Sequence, residues 1–387
     1  MKDIALNNFN RIFDVSDVKD VNSCRKKKGE VDFGWKGQKP LQCSREGLQI
    51  EDGQYRYCVE SDGVPFECLF FPHESKKLVV SLIGGEDTKP IDYPRFIRWK
   101  WYNYFDANVL CIEDPMYFYH KNFNKVMWYY GTKEESFLEK LASLVKKYME
   151  ILGVEPEDVI FIGSSGGGTC SIHMANMIAG TCCMALNPQF YPAKWNPVCK
   201  EYFSKELGVD LDSEDIHGRN KALPSEARSR YFLSLNAASK GDQRQFLPMF
   251  EELGIPLEYG ISQHDNIVTW VHHSNGAKLH SSNPERLGFL VLDFLNEEMK
   301  RGKDISQVQG LSYLINEYMN MIHVQRKHIE KHKKEIETLN LQLAEERFSL
   351  KHIVAKCRYW VMSKICLGKK RQHYKAKLKK FVTPSGK

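Results

Sequence analysis

A serine set between glycines, followed later by an aspartate and a histidine, is the residue set of nucleophilic acyl chemistry. Residues 159–176 read VIFIGSSGGGTCSIHMAN. Gly163, Ser165 and Gly167 form G-x-S-x-G directly after an apolar run and before a helix-like pattern, which is the context of a nucleophile elbow. The glycines permit the sharp turn and keep side chains away from the serine. Amides at the start of the helix point at developing negative charge. As a phosphate loop the stretch fails: it lacks a closing Gly-Lys-Ser/Thr, lacks G-x-G-x-x-G spacing, and has no basic residue beside it. The structural alternative is a glycine-rich turn that packs a helix close to a strand.

A serine hydroxyl is a poor nucleophile until a base takes its proton. In this arrangement the partners follow in the order Ser, Asp/Glu, His, each after a later strand. SLNAASKGD supplies Asp242 and LEYGISQHDN supplies His264, 22 residues on. Asp242 would orient the imidazole and His264 would shuttle the proton. Asp242 also precedes QRQFLPMF, where a helix cap would stand. His272, His273 and His280 compete for the base, and His280 is the alternative because HSSNPERLGFLV places it just before a closing helix. Two backbone N–H groups must form the oxyanion hole: Gly166, and Gly84 or Gly85 from SLIGGEDTKP.

Several elements must position these groups. KLVVSLIGG, NVLCIED, DVIFIG, TCCMALNP, YFLSLNAASKGD and IPLEYGISQHDN read as strands. ESFLEKLASLVKKYMEIL, QRQFLPMFEELG and NPERLGFLVLDFLNEEM read as helices between and after them. The alternation predicts an α/β fold, a mostly parallel sheet with helices on both faces, with functional residues at the carboxyl ends of strands. That rule picks out Gly84, Gly85, Ser165, Asn187, Asp242 and His264. The expected organisation is a polar leader (1–40), a small hairpin-rich β region (41–76), the catalytic domain (77–303), a coiled coil (304–356) and a basic amphipathic tail (357–387).

The coiled coil rests on Val308, Ile315, Ile322, Ile329, Ile336, Leu343 and Leu350, which repeat every seven residues. Such a repeat predicts a parallel dimer; a long helix folded back on the domain is the alternative. The formal charge of +6 is concentrated in the segment from Lys369, with eight Lys/Arg and no acid, so the body is near neutral. A basic tail beside Tyr359, Trp360 and Val361 suits an anionic membrane surface as well as it suits a solvated helix end. Nucleic-acid binding is not expected, because the charge is confined to one tail without a reading motif. The N-terminus lacks the apolar run of a signal peptide and no stretch reaches membrane-spanning length, so a cytoplasmic protein is expected, peripheral at the inner membrane face if the tail docks there. Eleven cysteines without regular spacing indicate neither a disulfide framework nor a zinc site.

FIGSSGGG, ASKGD and ISQHDN together resemble the α/β-hydrolase-fold capsular-polysaccharide O-acetyltransferases of bacteria. WYYGT (128–132) and LNPQF (186–190) are similar to a wider set of capsule-biosynthesis proteins. The resemblance covers roughly residues 75–300 and implies Ser165 as nucleophile, Asp242 as acid and His264 as base. It also implies acetyl-CoA as acyl donor and a surface-glycan hydroxyl as acceptor, with no resident cofactor. Gln263 before the histidine and the short Asp242–His264 segment depart from the family pattern. The expectation is a serine acyltransferase that O-acetylates a polysaccharide. A carbohydrate esterase would use the same triad. A non-catalytic capsule-assembly partner would use the coiled coil and tail instead. The aromatic runs WKWYNYF (99–105) and WYY (128–130) fit either sugar stacking or the core.

Overall fold

Strands covered on both faces are apolar along their whole length, and several segments here meet that description. The computed structural model describes most residues between 35 and 305, apart chiefly from 86–92, 274–279 and 281–284, and only short pieces beyond 305. The elements in chain order are β1 (Leu41–Ser44), β2 (Arg56–Ser61), β3 (Val64–Phe71), β4 (Leu78–Leu82), β5 (Asn108–Ile112), α1 (Met116–Tyr119), α2 (Phe137–Leu152) and β6 (Val159–Ser164). They continue as α3 (Gly166–Met177), β7 (Cys182–Leu186), α4 (Pro197–Glu206), β8 (Arg230–Asn236), α5 (Lys240–Leu253), β9 (Gly260–His264), β10 (Ile267–His272) and α6 (Glu285–Lys300).

All ten strands join one sheet in the order β1-β2-β3-β5-β4-β6-β7-β8-β10-β9. The run β5-β4-β6-β7-β8-β10 is parallel throughout. β4, β5, β7 and β10 are buried at every residue, whereas β1 alternates between half-buried and exposed at the sheet edge. The sheet is therefore mixed: β3 runs antiparallel to both β2 and β5, and β9 runs antiparallel to β10. The hairpin strands of the 41–76 region extend the main sheet.

Leu78, Val80, Leu82, Leu110, Ile112 and Phe161 pack with Leu138, Leu141 and Val145 of α2 and Met174 of α3 in one core cluster. Each such aliphatic side chain, fully buried, contributes roughly 1.5–3 kcal/mol. α2 ends where Gly153, at φ 60°, donates its N–H to Glu150 and Met149 carbonyls, a left-handed cap that glycine adopts without strain. α6 packs on β7 and β8. Its Asp293 and Glu297 accept Lys77 at 3.3 and 2.9 Å, beside the amino end of β4.

One sequence expectation is corrected here and one open alternative is resolved. The strand expected over 255–266 is confined to Gly260–His264, and a further strand, Ile267–His272, follows it after a two-residue turn in which Asp265 takes φ 51°. The expected continuation of parallel βα alternation thus gives way to a hairpin. Trp128, Tyr129 and Tyr130 belong to the core, at 1% exposure or less. Trp99 and Tyr102 pack against Phe71, with ring centroids 6.4 and 4.6 Å away.

The chain divides into two compact units, Met1–Asn316 and Glu317–Lys387. Of the predicted leader, residues 1–34 lie outside the described residues, while Trp35 is buried and meets Phe96 and Trp99 edge-on. Most of the heptad segment and the basic tail lie outside them too; Lys334–Thr338 is helical, with Ile336 58% exposed. Among the described residues no helix is long and apolar enough to cross a membrane. No disulfide joins the described cysteines.

Candidate active site

β6 delivers the chain to Ser164, and α3 begins at Gly166, so Ser165 occupies the corner between them. Its backbone sits at φ 54° and ψ −126°, a region that costs a non-glycine residue about 1–3 kcal/mol and persists only where the surroundings enforce it. They do so by close approach. A Cβ on Gly163 would lie 2.2 Å from the Gly167 carbonyl carbon, and one on Gly167 would lie 2.3 Å from the Leu82 oxygen. The Ser165 N–H donates to the Leu186 carbonyl at 2.9 Å, and its own carbonyl accepts the Thr169 N–H at 3.0 Å. Strand, strained serine and helix have the backbone form that a nucleophile elbow requires.

β8 then leads into α5, whose cap is Ser239: its hydroxyl accepts the Asp242 N–H at 3.3 Å. Asp242 therefore sits in the first turn of α5 and leaves the capping to Ser239. Its carboxylate is 3% exposed, and Oδ1 meets Nδ1 of His280 in a short contact. A carboxylate on Nδ1 fixes that nitrogen as the donor, so Nε2 of the neutral ring carries the lone pair. Nε2 is buried and takes no hydrogen bond among the described residues. Asn187 holds the His280 segment in place: its Nδ2 donates to the His280 carbonyl at 2.8 Å and its Oδ1 accepts the Asn236 N–H at 3.0 Å. The Trp195 ring lies 4.5 Å from the His280 ring.

His264 lies elsewhere. β9 is antiparallel, with His264 opposite Ile267, which pairs with Tyr231 at the start of β8. Ser164 is level with Leu186, and Leu186 with Ser234 near the other end of β8. Asp242 follows that same carboxyl end. His264 thus belongs to the amino edge of the sheet, five residues along β10 from His272, or about 17 Å at the rise of a strand. The structure brings Asp242 together with His280, and sets His264 apart. Asp242 and His280 lie 38 positions apart in the chain, so the short Asp242–His264 segment noted in the sequence is not the spacing of this contact.

Of the two glycines proposed beside Gly166, Gly84 abuts the elbow: a Cβ there would lie 2.8 Å from the Ser164 oxygen, 3.4 Å from Ser165 Cβ and 3.5 Å from Gly166 N. A Cβ on Gly85 would instead strike Val126 at 2.8 Å.

One residue in contact with the serine had no role assigned from the sequence. Gln189 Nε2 donates to Ser165 Oγ at 2.6 Å, and Gln189 Oε1 accepts Trp128 Nε1–H at 2.6 Å. The only signal for it was the LNPQF resemblance. Below this pair, Asp114 accepts the Tyr129 and Met116 N–H groups at 2.9 and 3.0 Å, while burial pushes its carboxyl up to about 7. Tyr129 donates its hydroxyl to the Ile112 carbonyl at 2.8 Å and accepts the Ile83 N–H at 2.9 Å, joining the loops around the elbow.

Cationic groups stand on the same side. Arg95 Nη2 approaches the Gly84 carbonyl at 3.5 Å, its Nε lies 3.7 Å from Glu113, and Arg98 donates to the Ser164 hydroxyl. Both guanidinium groups therefore stand beside the residues that flank Ser165. No cluster able to hold a metal ion occurs among the described residues.

No protein-family model matches the sequence, and a comparison with curated proteins gave no match. Among solved structures, the chain is similar to the capsule O-acetyltransferase of Neisseria meningitidis serogroup A, at 14% identity and a TM-score of 0.43, over 65% of this chain and 97% of that one. It is similar to the Glycosylation Associate Protein (Gap123) complex from Streptococcus agalactiae at 13% identity and 0.44, over 64% of this chain and 46% of that one. It is also similar to an esterase from Thermogutta terrifontis at 12% identity and 0.40, over 62% and 88%. In this chain itself, a parallel central sheet carries an elbow serine at its middle and an acid and a histidine after later strands, an α/β-hydrolase-like arrangement.

Proposed function

We propose that this chain is a serine acyltransferase that moves an acetyl group from acetyl-CoA to a hydroxyl of a capsular or other cell-surface polysaccharide. The observation that carries the proposal is the pairing of buried Asp242 with half-buried His280, set after β8 and β10 of the sheet whose β6 presents Ser165 at a strained strand–helix corner. In this reading His280 Nε2 takes the Ser165 proton as Oγ attacks the thioester carbonyl. The proton then passes to the departing CoA thiolate, leaving acetyl-Ser165. A sugar hydroxyl gives its proton to His280 and attacks the ester; that proton returns to Oγ as the C–Oγ bond breaks. The Gly166 N–H and a second from Gly84 or Gly85 meet the oxyanion in both steps. Arg95 and Arg98 support an anionic donor or acceptor.

Water in place of the sugar would make the same machinery an esterase, so the acceptor must be tested directly. The heptad segment would pair two chains, and the basic tail would bring them to an anionic membrane surface or to capsule machinery.

Purified protein is incubated with a fluorophosphonate serine probe, with Ser165→Ala, Asp242→Asn, His280→Ala and His264→Ala compared. Labelling is expected in the parent and in His264→Ala, lost in Ser165→Ala and His280→Ala, and slowed by about 10⁴-fold in Asp242→Asn, the loss typical of removing a triad carboxylate. Protection by acetyl-CoA tests the donor, and transfer of labelled acetyl to capsular polysaccharide in preference to water tests the acceptor. A folded parent that never labels would refute the enzyme and leave a non-catalytic assembly role.

A further inference from the structure

The serine oxygen is contacted by a side chain outside the triad, and its environment fixes which atom makes the contact. Trp128 Nε1–H can only donate. It lies 2.6 Å from one terminal atom of the Gln189 amide, so that atom is Oε1. The other, 2.6 Å from Ser165 Oγ, is then Nε2, and the amide donates to the serine. The amide orientation follows from an indole that has no acceptor role to offer.

The donor is held firmly. Gln189 is 0% exposed and Trp128 is 1% exposed. The Gln189 N–H donates to Thr169 Oγ1 at 2.9 Å, tying it to the first turns of α3. Trp128 takes φ 55° and Tyr129 φ 60°, and the Asp114 and Ile112 contacts of Tyr129 hold that bend. A Cβ on Gly166 would lie 3.6 Å from Gln189 Oε1 and 3.4 Å from Trp128 Cδ1. The relay therefore runs alongside the backbone that is expected to form the oxyanion hole.

We propose that Gln189 is a further catalytic residue, whose amide N–H holds Ser165 Oγ and stabilises the charge that returns to it when the acyl-enzyme breaks down. This rests on the reading of Ser165 as nucleophile. A donor on one lone pair turns the serine's own proton away from Gln189, toward the base. During acylation Oγ gives up electron density to form the ester bond. During deacylation the C–Oγ bond breaks, its electron pair goes to Oγ, and His280 supplies the proton. A fixed N–H beside Oγ favours that second step most, because there the oxygen gains charge. Trp128 is a positioning residue, acting through Oε1.

The test is stopped-flow hydrolysis of p-nitrophenyl acetate by the full chain, with fluorophosphonate labelling alongside, for the parent, Gln189→Ala, Gln189→Glu and Ser165→Ala. Gln189→Ala is expected to lower steady-state turnover about 10–100-fold, the worth of one hydrogen bond to a charged oxygen. The pre-steady-state burst should approach one nitrophenol per chain, since acyl-enzyme accumulates. Gln189→Glu keeps the shape and the Trp128 contact but replaces the donor with an acceptor. Its deficit should exceed that of Gln189→Ala at pH 8 and narrow as the pH is lowered, which a space-filling role would not produce. Turnover and burst in folded Gln189→Glu equal to the parent's would overturn the inference. So would a Gln189→Ala protein with parental kinetics, should the glutamate variant fail to fold. A parent that neither labels nor hydrolyses would instead defeat the nucleophile assignment itself.

Discussion

Replacing Gly84 with alanine probes how tightly the loop after β4, the proposed source of an oxyanion donor, is pressed against the Ser164–Gly166 corner. The added methyl would sit 2.8 Å from the Ser164 carbonyl oxygen, 3.4 Å from Ser165 Cβ and 3.5 Å from Gly166 N. An ordinary carbon–oxygen contact is about 3.3 Å or more, near the optimum of dispersion attraction, so the loop must retreat by roughly half an ångström. Ser164 cannot yield, because it is a β6 residue paired level with Leu186 of β7. The loop after β4 must move, and with it the expected oxyanion donor. The stability loss should be about 1–3 kcal/mol, as for overpacking elsewhere. A misplacement of about 1 Å can cost 10²-fold in rate, so a half-ångström retreat should cost about 10-fold. The assay pairs thermal unfolding with the second-order rate of fluorophosphonate labelling, with Gly37→Ala as control, since a Cβ there meets nothing within 4 Å. If Gly84→Ala labels at the parental rate while melting lower, the loop does not serve the reaction and the assignment of Gly84 beside Ser165 to catalysis fails.

Two other outcomes are expected. Burial holds the His272 imidazole down at about 4, below its ordinary 6.5. Between those pH values the unfolded chain binds a proton that the folded chain refuses, so stability present above pH 6.5 is lost on acidification toward pH 4, by up to about 3 kcal/mol. Asp114, pushed up to about 7 by burial, has the opposite sign, with stability falling as pH rises toward that value. His272→Gln should therefore flatten only the acid-side loss in a melting-temperature series from pH 7.5 to 4.5, and an unchanged difference between variant and parent across the series would refute this. A chain ending at residue 303 should be monomeric by light scattering where the full chain is dimeric; equal masses would dismiss the heptad seam as a self-association surface.

How much of the site could be read in advance depended on how local its cause was. The elbow is written in consecutive residues, because Gly163, Ser165 and Gly167 answer to neighbours a few positions away and to the strand beside them. Gly84, Gly85 and Asp242 followed from the rule that strand ends carry function. The sequence favours His264 only while GISQH reads as one more parallel strand. Its direction depends on pairing with IVTWVH across Asp265 and Asn266. That pair of short runs around a two-residue polar link is itself a hairpin signal, so strand direction was recoverable from sequence. Gln189 was not: its role needs Trp128, 61 positions earlier, to fix the amide, and Ser165, 24 positions earlier, to receive it. Nor does the aromatic content of WYY distinguish a sugar platform from a core; burial does that.

Asn187 has a consequence for how freely the chain may be altered. It stands at the end of β7 with φ 44°, and it fastens both the end of β8 and the His280 backbone. His280, the base of the proposed reaction, is thereby tied to the ends of β7 and β8 rather than held by the preceding chain alone. The segment from the end of α5 through the β9–β10 hairpin becomes a detour whose extent the reaction does not sense. Its outermost point is marked by Leu257 and Tyr259, 43% and 73% exposed. A reporter peptide or affinity handle spliced between Glu258 and Tyr259 should leave the acid and the base in register, giving a route to immobilise or label the protein without touching either terminus.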